Sequence, residues 1–154
     1  MPAITLDAIE AKQTELSKLI AQLKEDARKP VLHCFAAVEV SLRPGDHYAG
    51  PVLNASGAVQ HQLVLLDERP TGKLNWQAAK DWASSVGGVL PTRQELALIY
   101  ANCKPHLQPV WHWSCEEHED DASYAWLCTF LSGGQLSNPK SYEGGVVAVR
   151  RFNT

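Results

Sequence analysis

The first regular pattern in the chain is a seven-residue repeat. Leu6, Gln13, Ile20 and Ala27 are spaced by seven, and Ile9, Leu16 and Leu23 fall three residues after the first three of them. This is the a/d seam of a heptad repeat, and it predicts one amphipathic helix over residues 5–29. Thr5 suits the N-cap, with Asp7 and Glu10 near the positive end of the helix dipole. Arg28 and Lys29 sit at the negative end, and Pro30 cannot continue the helix. Such a stripe packs either on its own chain or on another subunit. About three heptads are marginal as an isolated coiled coil, so the expected homo-oligomer would also draw on the rest of the chain. Leu6, Ile9, Gln13, Leu16, Ile20 and Leu23 are the predicted oligomerisation residues, with Gln13 a polar insert able to fix register.

Beyond Pro30 the periodicity changes. Val31, Phe35, Val38, Val40 and Leu42 predict a strand, or a strand with an irregular start, over residues 30–42, ended by the turn Arg43-Pro44-Gly45-Asp46. Residues 48–53 and 60–66 predict a hairpin across Asn54-Ala55-Ser56-Gly57. Trp76, Ala79, Trp82, Ala83 and Val86 share one face of a predicted helix over residues 75–86, which Gly87-Gly88 ends. A second helix is predicted over residues 93–102, where Thr92 and Glu95 make a capping box before Leu96, Ile99 and Tyr100. Strands are predicted at 111–114, 124–130 and 146–152, with loops at 115–123 and 131–145 between them.

Composition narrows the class. The chain has 154 residues, 45% hydrophobic and 20% charged, enough for one domain with a real core plus a short appendage. The division expected is a helix at 1–30 and a domain at 31–154. A net charge of −3 gives no bulk attraction to a phosphate backbone, and no basic stripe extends the adjacent Arg150 and Arg151. Nucleic acid is therefore not an expected partner. A membrane is not expected either, because the apolar runs are far shorter than the ~20 residues of a bilayer span. No signal-peptide pattern opens the chain, so it is expected in the cytoplasm. Cys34, Cys103, Cys115 and Cys128 form no CxxC pair and are expected as free thiols.

The order of motifs in the second part forms one pattern. It runs Trp76…Ala79…Trp82-Ala83…Gly87-Gly88-Val-Leu-Pro-Thr-Arg-Gln-Glu-Leu, then Trp111-His-Trp-Ser, Tyr124-Ala-Trp and Ala148-Val-Arg-Arg-Phe. This order resembles a family of phage and bacterial domains that also forms the C-terminal domain of a collagen-like bacterial adhesin. Gly45-Asp46-His47-Tyr48-Ala49-Gly50 and Leu63-Val-Leu-Leu look like the version found in prophages. The resemblance covers about residues 42–152 and leaves the N-terminal helix outside. It implies an α+β, C-type-lectin-like fold: two helices on a small antiparallel sheet with long loops on one side. It also implies relatives that bind glycans, host surfaces or proteins; the location expected from the missing signal-peptide pattern is then a bacterial host cytoplasm, or a virion assembled from there. The fold alone does not name the ligand.

Candidate chemistry is sparse. Arg93, just after a helix N-cap, could grip a carboxylate or phosphate, but Arg93 and Glu95 are expected to tie the helix to the sheet. Trp111 and Trp113 share one side of a strand and, with Trp126, are expected in the core. His106, His112, Cys115 and His118, near the acidic run 116–121, include zinc-ligand residue types, but their spacing does not imply convergence and no metal is assigned. Gln108-Pro109 and Asn138-Pro139 lack the acidic partner that calcium-dependent sugar binding needs. No nucleophile motif or phosphate loop is present, so neither an enzyme nor a cofactor is expected.

The loops remain. Tyr124, Gln135, Asn138, Lys140 and Tyr142 are the expected ligand-binding residues, because binding groups collect on loops held by a rigid scaffold. The leading expectation is a non-enzymatic phage or prophage recognition protein that shows these loops to a macromolecular partner, protein or glycan, as an oligomer. The alternative is an intracellular antagonist of host defence. It would block a defence protein or sequester a small signalling nucleotide, with Arg93, Arg150, Arg151 and Lys140 as phosphate ligands.

Overall fold

The structure, a computed structural model, describes residues 4–32, 34 and 37–153. They fall into two compact units, Met1–Ala37 and Val38–Thr154. In outline the chain is α+β: an N-terminal helix, two further helices and two small antiparallel sheets.

In the first unit, α1 (Leu6–Asp26) starts as its sequence demands, with the Thr5 hydroxyl accepting the Ala8 N–H at 3.4 Å. It ends at Asp26, three residues earlier than predicted, in turns where Arg28 N–H donates to Glu25 and Lys29 N–H to Asp26. Its apolar side chains are exposed.

The strand predicted at residues 30–42 is not formed. Residues 31, 32, 34 and 37–43 take no regular structure, and Phe35 lies outside the described residues. Alternation alone does not make a strand, because each backbone N–H and C=O needs a partner edge. The described residues of this segment join no ladder. Val31 and Leu32 are exposed, while Val40 packs against the core of the second unit.

That core is organised by β1 (His47–Leu53) and β2 (Val59–Leu65), the predicted hairpin. Asn54 holds its turn, the carboxamide oxygen accepting the N–H groups of Ser56 and Ala58, each at 3.0 Å. Gly57 supplies the left-handed φ of +82°. Leu63, Val64, Leu65 and Leu66 are all fully buried. Successive side chains point to opposite faces, so Leu63 and Leu65 join Leu96, Ile99 and Phe130 on one side. Val64 and Leu66 join Trp76, Ala79, Ala83, Trp113 and Leu127 on the other.

The helices begin where their caps lie. Asn75 caps α2 (Trp76–Ser85), and Thr92 caps α3 (Arg93–Cys103) with the reciprocal Glu95 contact of a full capping box. Gly88 lets two layers meet: a Cβ there would lie 2.8 Å from Leu66 Cδ1 and 2.9 Å from the Val149 carbonyl. The second sheet comprises β3 (Trp111–Glu117), β4 (Tyr124–Thr129) and β5 (Gln135–Pro139), with β4 central. β5 lies inside the segment expected to be a loop. Its residues Gln-Leu-Ser-Asn-Pro carry one strong apolar position, but they pair with β4 along five residues. The Gly133-Gly134 step before them was the available hairpin signal. Finally β6 (Val149–Phe152) returns to pair with β2, from Gln62↔Phe152 to Leu65↔Val149. Residues 146–148, predicted as its start, are buried but outside the strand.

Candidate functional site

Two buried carboxylates account for part of the charged sequence. Glu95 is fully buried and receives Arg151 Nε at 2.6 Å, Arg151 Nη2 at 2.9 Å and the Thr92 N–H at 2.8 Å. His61 Nε2 lies 2.7 Å from the same carboxylate. Burial pushes the Glu95 carboxyl up, but the Arg151 and Thr92 hydrogen bonds, the Arg151 charge and His61 outweigh it and hold it below the usual range. Asp46 is the second node, with Arg150 at 2.9 Å, Arg43 at 3.2 Å and the Asp67 N–H at 3.1 Å. It too stays below the usual range: burial raises it, while the Asp67 and Arg43 hydrogen bonds and the Arg43 charge lower it further. Arg150 and Arg151 line a shallow groove of about 380 Å³ beside Gly87, Gly88 and Val89, with their charged ends turned to these internal partners.

A different cluster forms on the second sheet. Ala125 and Leu127 are buried, so the alternation of β4 sends Tyr124 and Trp126 to the opposite face. Trp126, expected in the core, is only half-buried. A guanidinium lies over its face: Arg93 Cζ is 3.7 Å from the ring centroid. Arg93 is fixed by Gln135, its Nε donating to Oε1 at 2.8 Å and its carbonyl accepting Gln135 Nε2 at 3.3 Å. The Trp126 indole N–H donates to Glu119 at 3.3 Å, and Arg93 Nη1 is 3.7 Å from the same carboxylate. His118 stacks on Trp126 at 5.3 Å, and its backbone N–H donates to the Tyr124 carbonyl at 3.0 Å. Glu116 accepts the Arg93 backbone N–H at 2.5 Å, placing a carboxylate at the start of α3. The Glu119 carboxyl is held below the usual range, chiefly by its own backbone N–H and further by Trp126, His118 and Arg93.

The expected ligand residues are therefore divided. Arg93 and Gln135 are in direct contact, and Tyr124 lies on the Trp126 face of β4. Asn138 pairs with Ala125 and faces the other way, beside Leu136 and Leu127. Lys140 lies over Trp76 at 4.4 Å and pairs with Glu117 at 2.8 Å, while Tyr142 meets Trp113 edge-on at 6.1 Å. All four candidate phosphate ligands face carboxylates: Arg93 with Glu119, Lys140 with Glu117, Arg150 with Asp46 and Arg151 with Glu95. The sequence reading placed Trp126 in the core and, although it counted the 115–123 loop in the binding surface, singled out neither His118 nor Glu119 as a ligand residue. The strand alternation around Ala125 and Leu127 was the signal that could have exposed Trp126.

Among the described residues no three His, Cys, Asp or Glu side chains converge on a metal position. His112 is buried against Phe130, with Nδ1–H donating to the Val110 carbonyl at 2.9 Å. His118 stacks on Trp126 and His106 on His47. Burial pushes the thiols of Cys103, Cys115 and Cys128 up, which weakens them as nucleophiles. The four cysteines are free, Cys34 exposed among them. No described helix is long and apolar enough to cross a membrane. Comparison with known proteins finds no protein-family model and no curated protein that matches the chain.

Proposed function

We propose that this chain is a non-enzymatic, phage- or prophage-encoded recognition module of C-type-lectin-like architecture. It displays the Trp126 face and its flanking loops to a macromolecular ligand, protein or glycan, as an oligomer joined through α1. The observation that carries this reading is the Arg93–Trp126–Gln135–Glu119 cluster. Its side chains are held by cation–π and hydrogen-bond contacts at the surface, where ordering long polar side chains costs entropy. Glu95 and Asp46 recover that cost by satisfying buried groups, whereas the bonds among Arg93, Gln135, Trp126 and Glu119 are exposed. Pre-ordering before contact lowers the entropic cost of binding.

The lectin-like reading draws support from the chain path. A hairpin is followed by two helices and a three-stranded second sheet, and the last strand returns to the first sheet beside β2.

The test is display of the full chain on arrays of bacterial surface glycans and bacterial proteins. Tyr124→Ala and Arg93→Ala/Gln135→Ala variants are run in parallel after matching their thermal unfolding to the parent. Selective binding that falls by about tenfold or more in the variants is expected. Binding that ignores all three changes places the site elsewhere, and chemical turnover of a bound ligand makes the protein an enzyme.

A further inference from the structure

We propose that α1 joins a second copy of this chain as a parallel, in-register helix pair, with Gln13 facing Gln13 across the seam. This pairing rests on the oligomeric reading above and adds to it the partner and the polarity of the contact. Leu6, Ile9, Leu16, Leu19, Ile20 and Leu23 are exposed on α1. The Gln13 side-chain amide has no hydrogen-bond partner among the described residues, although its backbone carbonyl accepts the Ser17 hydroxyl at 2.9 Å. The seam therefore offers a nearly complete apolar stripe interrupted once by an amide.

The interruption discriminates between geometries. A parallel pair in register sets each a or d residue against its own copy. Leucines and isoleucines then meet their like, and each Gln13 meets a group with both a donor and an acceptor. At the flanks Lys12 faces Ser17 of the second copy, and Leu19 lies along the aliphatic stem of its Lys24, so no like charges meet. An antiparallel pair sets a against d instead. The register that keeps Leu6 opposite Leu23 and Ile9 opposite Ile20 places both Gln13 amides against Leu16, where they go unpaired.

Shifting that register by one heptad aligns Glu10 with Lys24 and Lys12 with Asp26 of the second copy. It also sets Gln13 against Leu23 and leaves Leu6 with nothing opposite. Exposed helix ion pairs are weak in water. Unpaired amides and an uncovered leucine on each helix cost more than those pairs return. A parallel pair has a functional consequence too. Both chains leave it at the same end, and pairing makes the module bivalent, the condition for avidity on a multivalent ligand.

Single-cysteine cross-linking tests polarity, in a Cys34→Ser background that removes the exposed native thiol. Gln13→Cys is oxidised alone, and also after mixing with Leu16→Cys or Leu23→Cys protein that has been unfolded and refolded with it. Native mass of the untreated chain is read beside it, with tryptophan fluorescence confirming that the second unit is folded. Efficient Gln13→Cys homodimer formation, with little cross-linking between positions 13 and 23, is the expected result. An oligomer whose Gln13→Cys thiols bond only to position 16 or 23 overturns the parallel geometry and leaves the oligomeric reading standing. A monomer that forms no cross-link overturns both.

Discussion

Arg151 grips Glu95 with two parallel hydrogen bonds, Nε to Oε1 at 2.6 Å and Nη2 to Oε2 at 2.9 Å, linking the last strand to the first turn of α3. The carboxylate is fully buried, while a third of the arginine side chain remains exposed. The same carboxylate closes the α3 capping box and meets His61 on β2, so one side chain ties together three elements of the second unit.

Removing that carboxylate strips several donors of their acceptor at once. Glu95→Ala is expected to lower the unfolding free energy by about 3 kcal/mol or more. Arg151→Met, which keeps much of the aliphatic stem, is expected to cost less than Arg151→Ala. Urea unfolding followed by tryptophan fluorescence measures both. A cost below about 1 kcal/mol for Glu95→Ala would show that the node is dispensable.

Acid should act first through His112. Burial lowers its pKa from 6.5 to about 4, with the Arg69 charge adding to the fall and the bond to Val110 opposing it. The unfolded chain therefore binds the proton more readily than the folded one between these values. The stabilisation is fully present above pH 6.5 and is lost as pH falls toward 4, by on the order of 3 kcal/mol. Glu95, whose folded pKa is depressed below 4.5, adds a loss at still lower pH. Unfolding curves across this range should show a slope that His112→Gln flattens, and an unchanged slope would assign the acid sensitivity to other groups.

Two glycines separate close approach from backbone conformation. Gly88→Ala forces a Cβ onto Leu66 and the Val149 carbonyl and is expected to cost about 2–3 kcal/mol. Gly57→Ala has open space around it and bears only the left-handed φ, for about 1 kcal/mol. The order of the two midpoints in urea is the check. Equal costs would mean that the layer contact at Gly88 relaxes freely.

The pairing of Arg93, Lys140, Arg150 and Arg151 with carboxylates bears on the nucleotide-sequestration alternative. A panel of mononucleotides and cyclic dinucleotides is expected to leave Tm unchanged, since only a ligand that binds the folded state raises it. A concentration-dependent rise with one nucleotide would restore that reading.

Much of the local structure was legible because it is written locally. Thr5, Asn75 and Thr92 are short side chains placed before apolar periodicity, and each caps the helix that follows. Asn54 and Gly57 similarly announce the first hairpin. Long-range pairing was not legible. Nothing near residues 30–42 says that their alternation lacks a partner edge, and nothing in Gln-Leu-Ser-Asn-Pro says that it has one. The partners of the candidate cations were hidden for the same reason. Asp46 lies 104 residues from Arg150 and Glu95 lies 56 from Arg151, so both cations read as free in the sequence. Trp126 reads as core until Arg93, from another element, covers its face.

Native mass spectrometry of the intact chain, purified without added ligand, tests the multivalent recognition module most directly. A discrete oligomer of bare chains is expected, reduced to monomers by Leu16→Asp/Ile20→Asp while the tryptophan fluorescence of the second unit is unchanged. A parent chain that is monomeric, or an oligomer carrying a fixed small-molecule mass in each site, would contradict it.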